Sequence, residues 1–513
     1  MIRFLWTVIC VVCALFHLLV AKESVDEMMV ARIKIQAFQN SQLMETLSYL
    51  TDVHGPRLTN SPNYKAAAQW CVETLEEWGL DARLEPWGSC RPGWSFEKVS
   101  LEMTDPFYVP VLAYPMAWSP GTNGDITGKP VVIPIDFDEP FDSLAYKSEL
   151  ENALILNPYF NESWYSETRP FRHDEDYLEQ QAAAIDPGRP DHYTPKSDQR
   201  KQREKEFYDI LRFFKNEQIA AMISVSPLKD GVIQVSTPSR WYEQEPDSYP
   251  WVVVSQEQGK RLQRMLEKGV DINLKLNVQT TTHPDTIGQN VIAEIAGTDR
   301  KLKNQVVMLG GHLDSWHAGT GATDNASGCA IMMEAVRILK KLEVKPRRTI
   351  RLALWGGEEQ GYLGSRGYVK KHFGDPETME LGPEHELLSA YFNIDNGGGK
   401  LRGIYLQGNE MVRPIFSAYL EPFAYLGAGT VTAKNTSGTD HIPFNWVGLP
   451  GFQFIQDPLD YGTKTWHTHL DVFEKVIKDD VKQAAAIVAT FVYHTAMRDE
   501  MLPRESPVTA AQE

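Results

Sequence analysis

The sequence predicts an α/β protein: a mixed, largely parallel central sheet flanked by helices, with a smaller α/β unit inserted into it. Three observations predict this. Residues 306–309 (VVML) form an uninterrupted apolar run, the pattern of a strand buried on both faces. A loop with His312, Asp314 and Asp324 follows, and then Cys329, Met332, Met333, Val336 and Leu339 recur at helical spacing. Strand, polar loop, helix is the order that puts chemistry at the carboxyl end of a strand, where open α/β sheets build their sites.

In chain order, the first 21 residues read as a targeting segment. Arg3 precedes an apolar stretch over 4–20, and Ala21 stands before Lys22-Glu23, as in a signal peptide cut after Ala21. An uncleaved anchor is the alternative, because the stretch nears the minimum spanning length. Cleavage implies a secreted or periplasmic protein, and only the uncleaved form would hold it to a membrane. Cys71–Cys90 is the one local candidate for a disulfide, and Cys329 reads as a small core residue. Asn161 and Asn435 lie in sequons that matter only in a eukaryotic host.

A helical stretch over 28–50 is broken at His54-Gly55-Pro56. The next helix has Ser61 as N-cap, Pro62 in its first turn, and an apolar face of Tyr64, Ala68, Cys71, Leu75 and Trp78. Strand-like segments follow at 81–87 and 96–103. Near 128 the character changes. A short strand lies within 129–135, and 136–205 is dense in Pro, Asp, Glu, Arg and Tyr with weak periodicity. That stretch reads as a long surface insertion, ordered in part by Phe160, Trp164, Tyr165 and Phe171, or else as a linker. A helix over 207–214, strands at 220–225, 251–254 and 272–278, and a helix through Leu262 and Leu266 complete a compact unit. The main sheet takes 290–295, 306–309, 349–354, 390–394 and 452–455, and a helix over 481–498 closes the fold. The expected division is 1–21 targeting segment, 22–125 and 286–503 the two parts of the main domain, 126–285 the insert, and 504–513 a polar tail. The net charge of -17, from 51 Lys+Arg against 68 Asp+Glu, repels phosphate backbones and excludes nucleic acid as a partner.

Each late strand is followed by residues that carry chemistry. The run 306–309 leads to His312 and Asp324, 349–354 to Glu358-Glu359, 390–394 to Asp395, and 452–455 to a loop with His467, His469 and Asp471. Several carboxylates cannot crowd into one site without a cation, because like charges repel. Mixed nitrogen and oxygen donors suit zinc, and the number of donors suffices for two ions about 3.5–4 Å apart that share a carboxylate. Asp314 is placed to orient His312 from behind. Singly, these residues say less: Asp324 before a helix also reads as an N-cap, and Trp316 and Trp355 read as packing. His317 has no assigned role.

The stretches HLD, GATDNASG, WGGEEQGYLGS, NIDNGGG and HTHLD resemble the co-catalytic zinc exopeptidases, which include bacterial leucyl aminopeptidases and glutamate carboxypeptidase II. The plasma glutamate carboxypeptidase branch is the most similar, through GHLDSW, KPRRTIRLALW, GTDHIPF and EMLPR. The likeness is specific over 290–504, weaker over 28–109 and absent over 136–205, and the inserted unit is similar to a protease-associated domain. The resemblance implies a zinc-exopeptidase sheet and two Zn²⁺ per chain. One ion would sit on His312, Asp324 and Asp395, the other on Asp324, Glu359 and His467, with Asp324 bridging and its peptide to Asn325 cis. His469 competes with His467 for the last place, and Asp471 stands behind as a supporting acid, as Asp314 does for His312. Glu358 would be the general base on a water between the ions, with His441 the candidate oxyanion donor. The implied reaction is hydrolysis of the terminal bond of short peptides, by an aminopeptidase or dipeptidase. In the carboxypeptidase alternative, Arg366 or Arg402 pairs a substrate carboxylate. A metal-free binding ectodomain should lack ligands, and none is missing. An acyltransferase of glutaminyl-cyclase type should not need the complete second set. The sequence leaves the oligomeric state open, a homodimer included.

Overall fold

The computed structural model describes residues 23–136, 141–146, 150–159, 170–189, 193–237 and 249–504. The targeting segment, Phe160, Asn161, Trp164, Tyr165 and the tail lie outside the described residues. Among the described residues, no helix is long and apolar enough to cross a membrane.

The central sheet has eight strands among the described residues. Their order is β1 (Asp81–Ser89), β11 (Ile287–Ile295), β13 (Thr349–Trp355), β12 (Val306–His312), β16 (Leu388–Asn393), β19 (Gly451–Gln456), β17 (Leu401–Tyr405) and β18 (Thr430–Thr432). β12 runs parallel to β13 and β16, and β16 parallel to β19, while β11 is antiparallel to both its neighbours. The sheet is therefore mixed with a parallel middle, the predicted class. All seven residues of β12 are buried, as expected where helices cover both faces. Its side chains alternate between two cores. Val307 and Leu309 join α1 (Glu27–Gln39), α2 (Leu43–Ser48), α3 (Pro62–Glu77), α7 (Ser327–Lys341) and α11 (Lys478–Met497). Val306 and Met308 pack with Trp355, Tyr368 of α8 (Leu363–His372) and Phe444 of α10 (Ile442–Trp446). α7 is buried from Ser327 to Leu339, so the loop entering it rests on a packed base.

Helix α3 starts as its sequence dictates, with Ser61 Oγ accepting from the Tyr64 amide at 3.2 Å. The single helix expected over 28–50 is instead α1 and α2. Ser41 Oγ accepts from the Leu43 amide at 3.2 Å, the local competition by which short polar side chains interrupt helices. Cys71 and Cys90 are unpaired thiols. Cys71 is buried in the core beneath α3, whereas Cys90 follows the outer strand β1, so no bridge forms.

Two further sheets hold the inserted unit. One runs β4 (Ala113–Pro115), β9 (Trp251–Val254), β8 (Ala221–Val225), β7 (Leu154–Asn157), β6 (Pro130–Val132). The other runs β3 (Val109–Val111), β2 (Gly93–Asp105), β10 (Asn273–His283), β5 (Ile126–Gly128). The chain thus leaves the main sheet at Gly93 and returns at Ile287. The sequence shows no strand within 136–205, yet β7 is there with all four residues buried. A four-residue run set among acids and prolines is too short to declare a period. α5 (Asp198–Asn216) and α6 (Gln256–Glu267) complete the unit, whereas α4 (Glu175–Ala182) packs on β18 of the main sheet; the β14–β15 ribbon (Gly374–Asp375, Glu380–Leu381) and α9 (Arg413–Leu420) decorate the main domain.

At the end of α8, His372 is gripped from both sides. Its Nε2 lies 2.6 Å from Glu85 and its Nδ1 3.1 Å from Glu384, with Lys371 also on Glu85 at 2.8 Å. Burial works against the imidazolium, but the two carboxylates outweigh it and raise its pKa above 6.5. Burial likewise opposes the Glu85 carboxylate, and His372 and Lys371 more than offset it, holding Glu85 at about 2. The His372 contribution to stability is therefore complete below pH 6.5 and lost as pH rises through the folded value; that of Glu85 is lost as pH falls toward 2. Comparing Tm for wild type and His372→Gln across pH should give a gap widest in mild acid and narrowing in alkali. A gap independent of pH would show that the pair does not titrate with folding.

Candidate metal centre

Four parallel strands, β12, β13, β16 and β19, and the loops after them bring the acids and imidazoles to one edge of the sheet. His312 is the last residue of β12 and sits beside Trp355 of β13 in register. Gly357, in the left-handed region at φ 73°, turns the chain past β13 so that Glu358 and Glu359 fall over that edge. Asp395 lies two residues beyond β16, and His467 lies in the loop after β19.

The donor atoms converge in two groups that share Asp324. His312 Nε2 is 3.3 Å from Asp324 Oδ1 and 3.3 Å from Asp395 Oδ1. His467 Nε2 is 3.5 Å from Asp324 Oδ2 and 2.9 Å from Glu359 Oε2. Donor atoms of His312, Glu358 and Asp395 also lie within 4.8 Å of one another. Four of these atoms are buried without a hydrogen-bond partner: His312 Nε2, Asp324 Oδ2, Glu359 Oε1 and Asp395 Oδ1. Buried polar atoms are seldom left unpaired, and bound cations would satisfy them. Burial, reinforced by Asp395, Asp440 and Glu359, pushes Glu358 well up; burial and then Asp324 do the same to Glu359. Burial lowers His467 to about 4, leaving the neutral imidazole that ligates metals. The donors present fit divalent metal.

The surroundings correct several expectations. His312 Nδ1 lies 2.9 Å from the backbone carbonyl of Asp314, not against its carboxylate, which is 3.8 Å away. The Asp314 carboxylate instead accepts from the amides of Glu358 and Glu359 at 3.2 and 3.3 Å and from Thr59 at 2.8 Å. It fixes the turn that presents the two glutamates. Asp471 accepts from the Thr323 and Asp324 amides at 2.7 and 3.1 Å and so clamps the Asp324 loop; burial and Asp324 raise it to about 7. The Asp324–Asn325 peptide is cis. His469 turns away, its Nδ1 accepting from the Ile233 amide at 3.1 Å and its ring 5.5 Å from Tyr114 in the insert. His441 is fully buried outside the cleft, with Nε2 3.0 Å from the Thr436 carbonyl, so it is not available to a substrate. Trp316 does more than pack: its indole donates to Glu359 Oε2 at 2.7 Å. Trp355 packs, donating to Tyr391 at 2.7 Å. His317 reaches the Pro115 carbonyl at 2.7 Å and ties the Asp314 loop to the insert.

Two residues at the site had no signal in the sequence. Arg57 is fully buried and donates to the carbonyls of Leu50, Leu313, Thr320 and Gly321 at 2.7–2.9 Å. It ties together both ends of the loop between His312 and Asp324, through backbone partners that no motif encodes. Tyr461 lines the cleft together with Asp324. The cleft itself is about 980 Å³ and is lined by Asp324, Glu358, Glu359, Asp395 and His467 at one part and by Arg366, Trp446 and residues 193–200 at another. Arg366 is thus in the cleft, whereas Arg402 is paired with Asp457 at 3.2 Å.

The chain is similar to known proteins in sequence and in fold. Residues 290–492 match the model of peptidase family M28. The chain is 27% identical to carboxypeptidase Q of Xenopus laevis over 496 residues, covering 94% of this chain and 91% of the relative. In fold it is similar to a peptidase M28 precursor from Shewanella amazonensis (TM-score 0.68, 24% identity, 94% of this chain and 99% of that one). It is also similar to BSAP, a zinc aminopeptidase from Bacillus subtilis (TM-score 0.57, 18% identity, 90% and 97% covered). The segment that matches family M28 holds every donor of the cluster, and the chain is a metallopeptidase.

Proposed function

We propose that the protein is a di-zinc exopeptidase that hydrolyses the terminal bond of short peptides. One observation carries this: the buried donors of His312, Asp324, Glu359, Asp395 and His467 form two groups around one shared carboxylate at the floor of the cleft. In this reading His312, Asp324 and Asp395 hold one ion and Asp324, Glu359 and His467 the other. When bound, the ions supply Lewis-acid polarisation of the scissile carbonyl and a water acidified toward neutrality. Glu358 lines the cleft beside both groups; it accepts the water proton and returns it to the leaving amine nitrogen. Tyr461, kept protonated because burial pushes it well up, takes the oxyanion-donor role from His441. Asp314, Asp471, Trp316 and Arg57 position these groups without touching substrate.

The exopeptidase assignment rests on the cleft. Its volume of about 980 Å³ lies at the top of the range for small-ligand sites, roughly 300–1,000 Å³, which favours di- and short peptides over long chains. The dipeptidase or aminopeptidase reading follows from that size. Four matched peptides test it: one free at both ends, one N-acetylated, one C-amidated and one blocked at both ends. Loss of cleavage on acetylation is expected. Cleavage of a peptide blocked at both ends would overturn the exopeptidase reading.

A further inference from the structure

The loop that carries His467 is paired with the inserted unit. The Val235 amide donates to the His467 carbonyl at 2.9 Å and the His469 amide to the Ile233 carbonyl at 3.2 Å. The Ile233 amide donates to His469 Nδ1 at 3.1 Å. Between these bonds Gln234 and Thr468 form an antiparallel bridge. The result is a short clasp of backbone between the insert and the main domain, with a metal donor inside it. His467 stands in the left-handed region at φ 59°. Residues with a side chain seldom adopt that conformation and keep it where their surroundings impose it. The bond from Val235 to the His467 carbonyl is one such constraint.

The clasp is fixed on the insert's side. Ser226, just past β8, donates to the Val232 carbonyl at 2.7 Å and accepts from the Gln234 amide at 3.2 Å. The Ser236 carbonyl accepts from the Ala117 amide at 2.9 Å. Ile233 and Val235 are buried in the insert's apolar core with Met116, Met222 and Trp251. Trp316 of the main domain belongs to the same core. Its indole donates to Glu359 at 2.7 Å and its ring centre stands 5.5 Å from that of His467. Glu359 and His467, the two donors that their group does not share, thus both lean on the insert's core. The supports of His312 and Asp395 come from the main domain. His312 Nδ1 lies 2.9 Å from the Asp314 carbonyl, and the Asp395 carbonyl accepts from Gln453 of β19 at 3.0 Å. The His317 tie to Pro115 holds the loop after His312 rather than a donor.

We infer that the inserted unit is a positioning element for one of the two ions: residues 232–236 and Trp316 set His467 and Glu359, so loosening the insert weakens the ion on Asp324, Glu359 and His467 and spares the ion on His312, Asp324 and Asp395. Groups behind a ligand fix its orientation, and their loss weakens metal even though they never touch it. Coupling of this kind is reciprocal, so the ion in turn steadies the clasp. The inference rests on the two-ion reading and adds an unequal dependence of the two ions on the insert. Residues 232–236 fall outside the stretch that matches the family model, so this support comes from the insert and not from the matched core.

The test uses the zinc-loaded full chain, a competing chelator, and amide hydrogen exchange of residues 232–236 with and without zinc. In wild type, zinc is expected to slow exchange there by about tenfold. His469→Ala should weaken one zinc ion by about tenfold and leave the other within about twofold. His469→Asn, which keeps an acceptor for the Ile233 amide, should recover most of that loss. Trp316→Phe should weaken the same ion, so the double variant still loses one ion first. Both ions weakened equally in His469→Ala, or neither, with or without a lower Tm, overturns the inference and leaves the two-ion reading intact. Exchange in wild type that ignores zinc does the same and needs no variant. Wild type that holds fewer than two zinc ions overturns both.

Discussion

Glu358→Gln is expected to lower kcat by about 10²–10⁴-fold, the usual weight of a general acid–base group, with metal content as in wild type. The glutamine is isosteric, and the backbone amide at 358 stays on Asp314 at 3.2 Å, so the turn keeps its shape and only the proton acceptor is lost. Glu359, its neighbour, is held differently, by Trp316 and His467 at 2.7 and 2.9 Å. Tyr461→Phe should act on kcat as well, again with metal retained. Steady-state kinetics and elemental analysis on one preparation check this. Near wild-type kcat in Glu358→Gln would remove the base from the account.

Asp324→Ala should have the largest structural effect on the site, because both donor groups pass through that carboxylate. The expected result is loss of both ions, loss of activity beyond that of Glu358→Gln, and a lower Tm, since metal that binds only the folded state adds to its stability. Asp314→Asn, which disturbs only the turn behind the ligands, should weaken metal by about 10–100-fold. Differential scanning with and without added zinc separates the two variants. If Asp324→Ala kept metal at the wild-type ratio, the shared-ligand arrangement would be wrong.

The fold class was legible because the middle strands of the sheet are apolar runs and each ends in a chemically distinctive residue. His312, Glu358-Glu359 and Asp395 stand within five residues of such a run, so sequence order alone puts them on one edge. His467 was harder. It comes eleven residues after β19, in a loop with His469 as a rival, and only the fold shows that His469 faces Ile233 and Tyr114 in the insert. What pattern could not supply was partner identity. Asp314 follows His312 by two residues, but its carboxylate serves the next strand's turn, a relation set by the β12–β13 register. Arg57 is invisible for a related reason: its partners are four carbonyls, and carbonyls carry no residue type. His441 sits in a conspicuous motif, yet the chain folds it inward onto Thr436. The part of the cleft lined from residues 193–200 was also hidden, because the insertion has weak periodicity.

The central claim is that this chain carries a two-metal hydrolytic centre, and elemental analysis of the purified, peptide-cleaving protein tests it most directly. The account predicts two divalent ions per chain in the co-catalytic arrangement, with activity lost on chelation and restored by zinc. Folded protein that cleaves peptides with at most a trace of metal would contradict it.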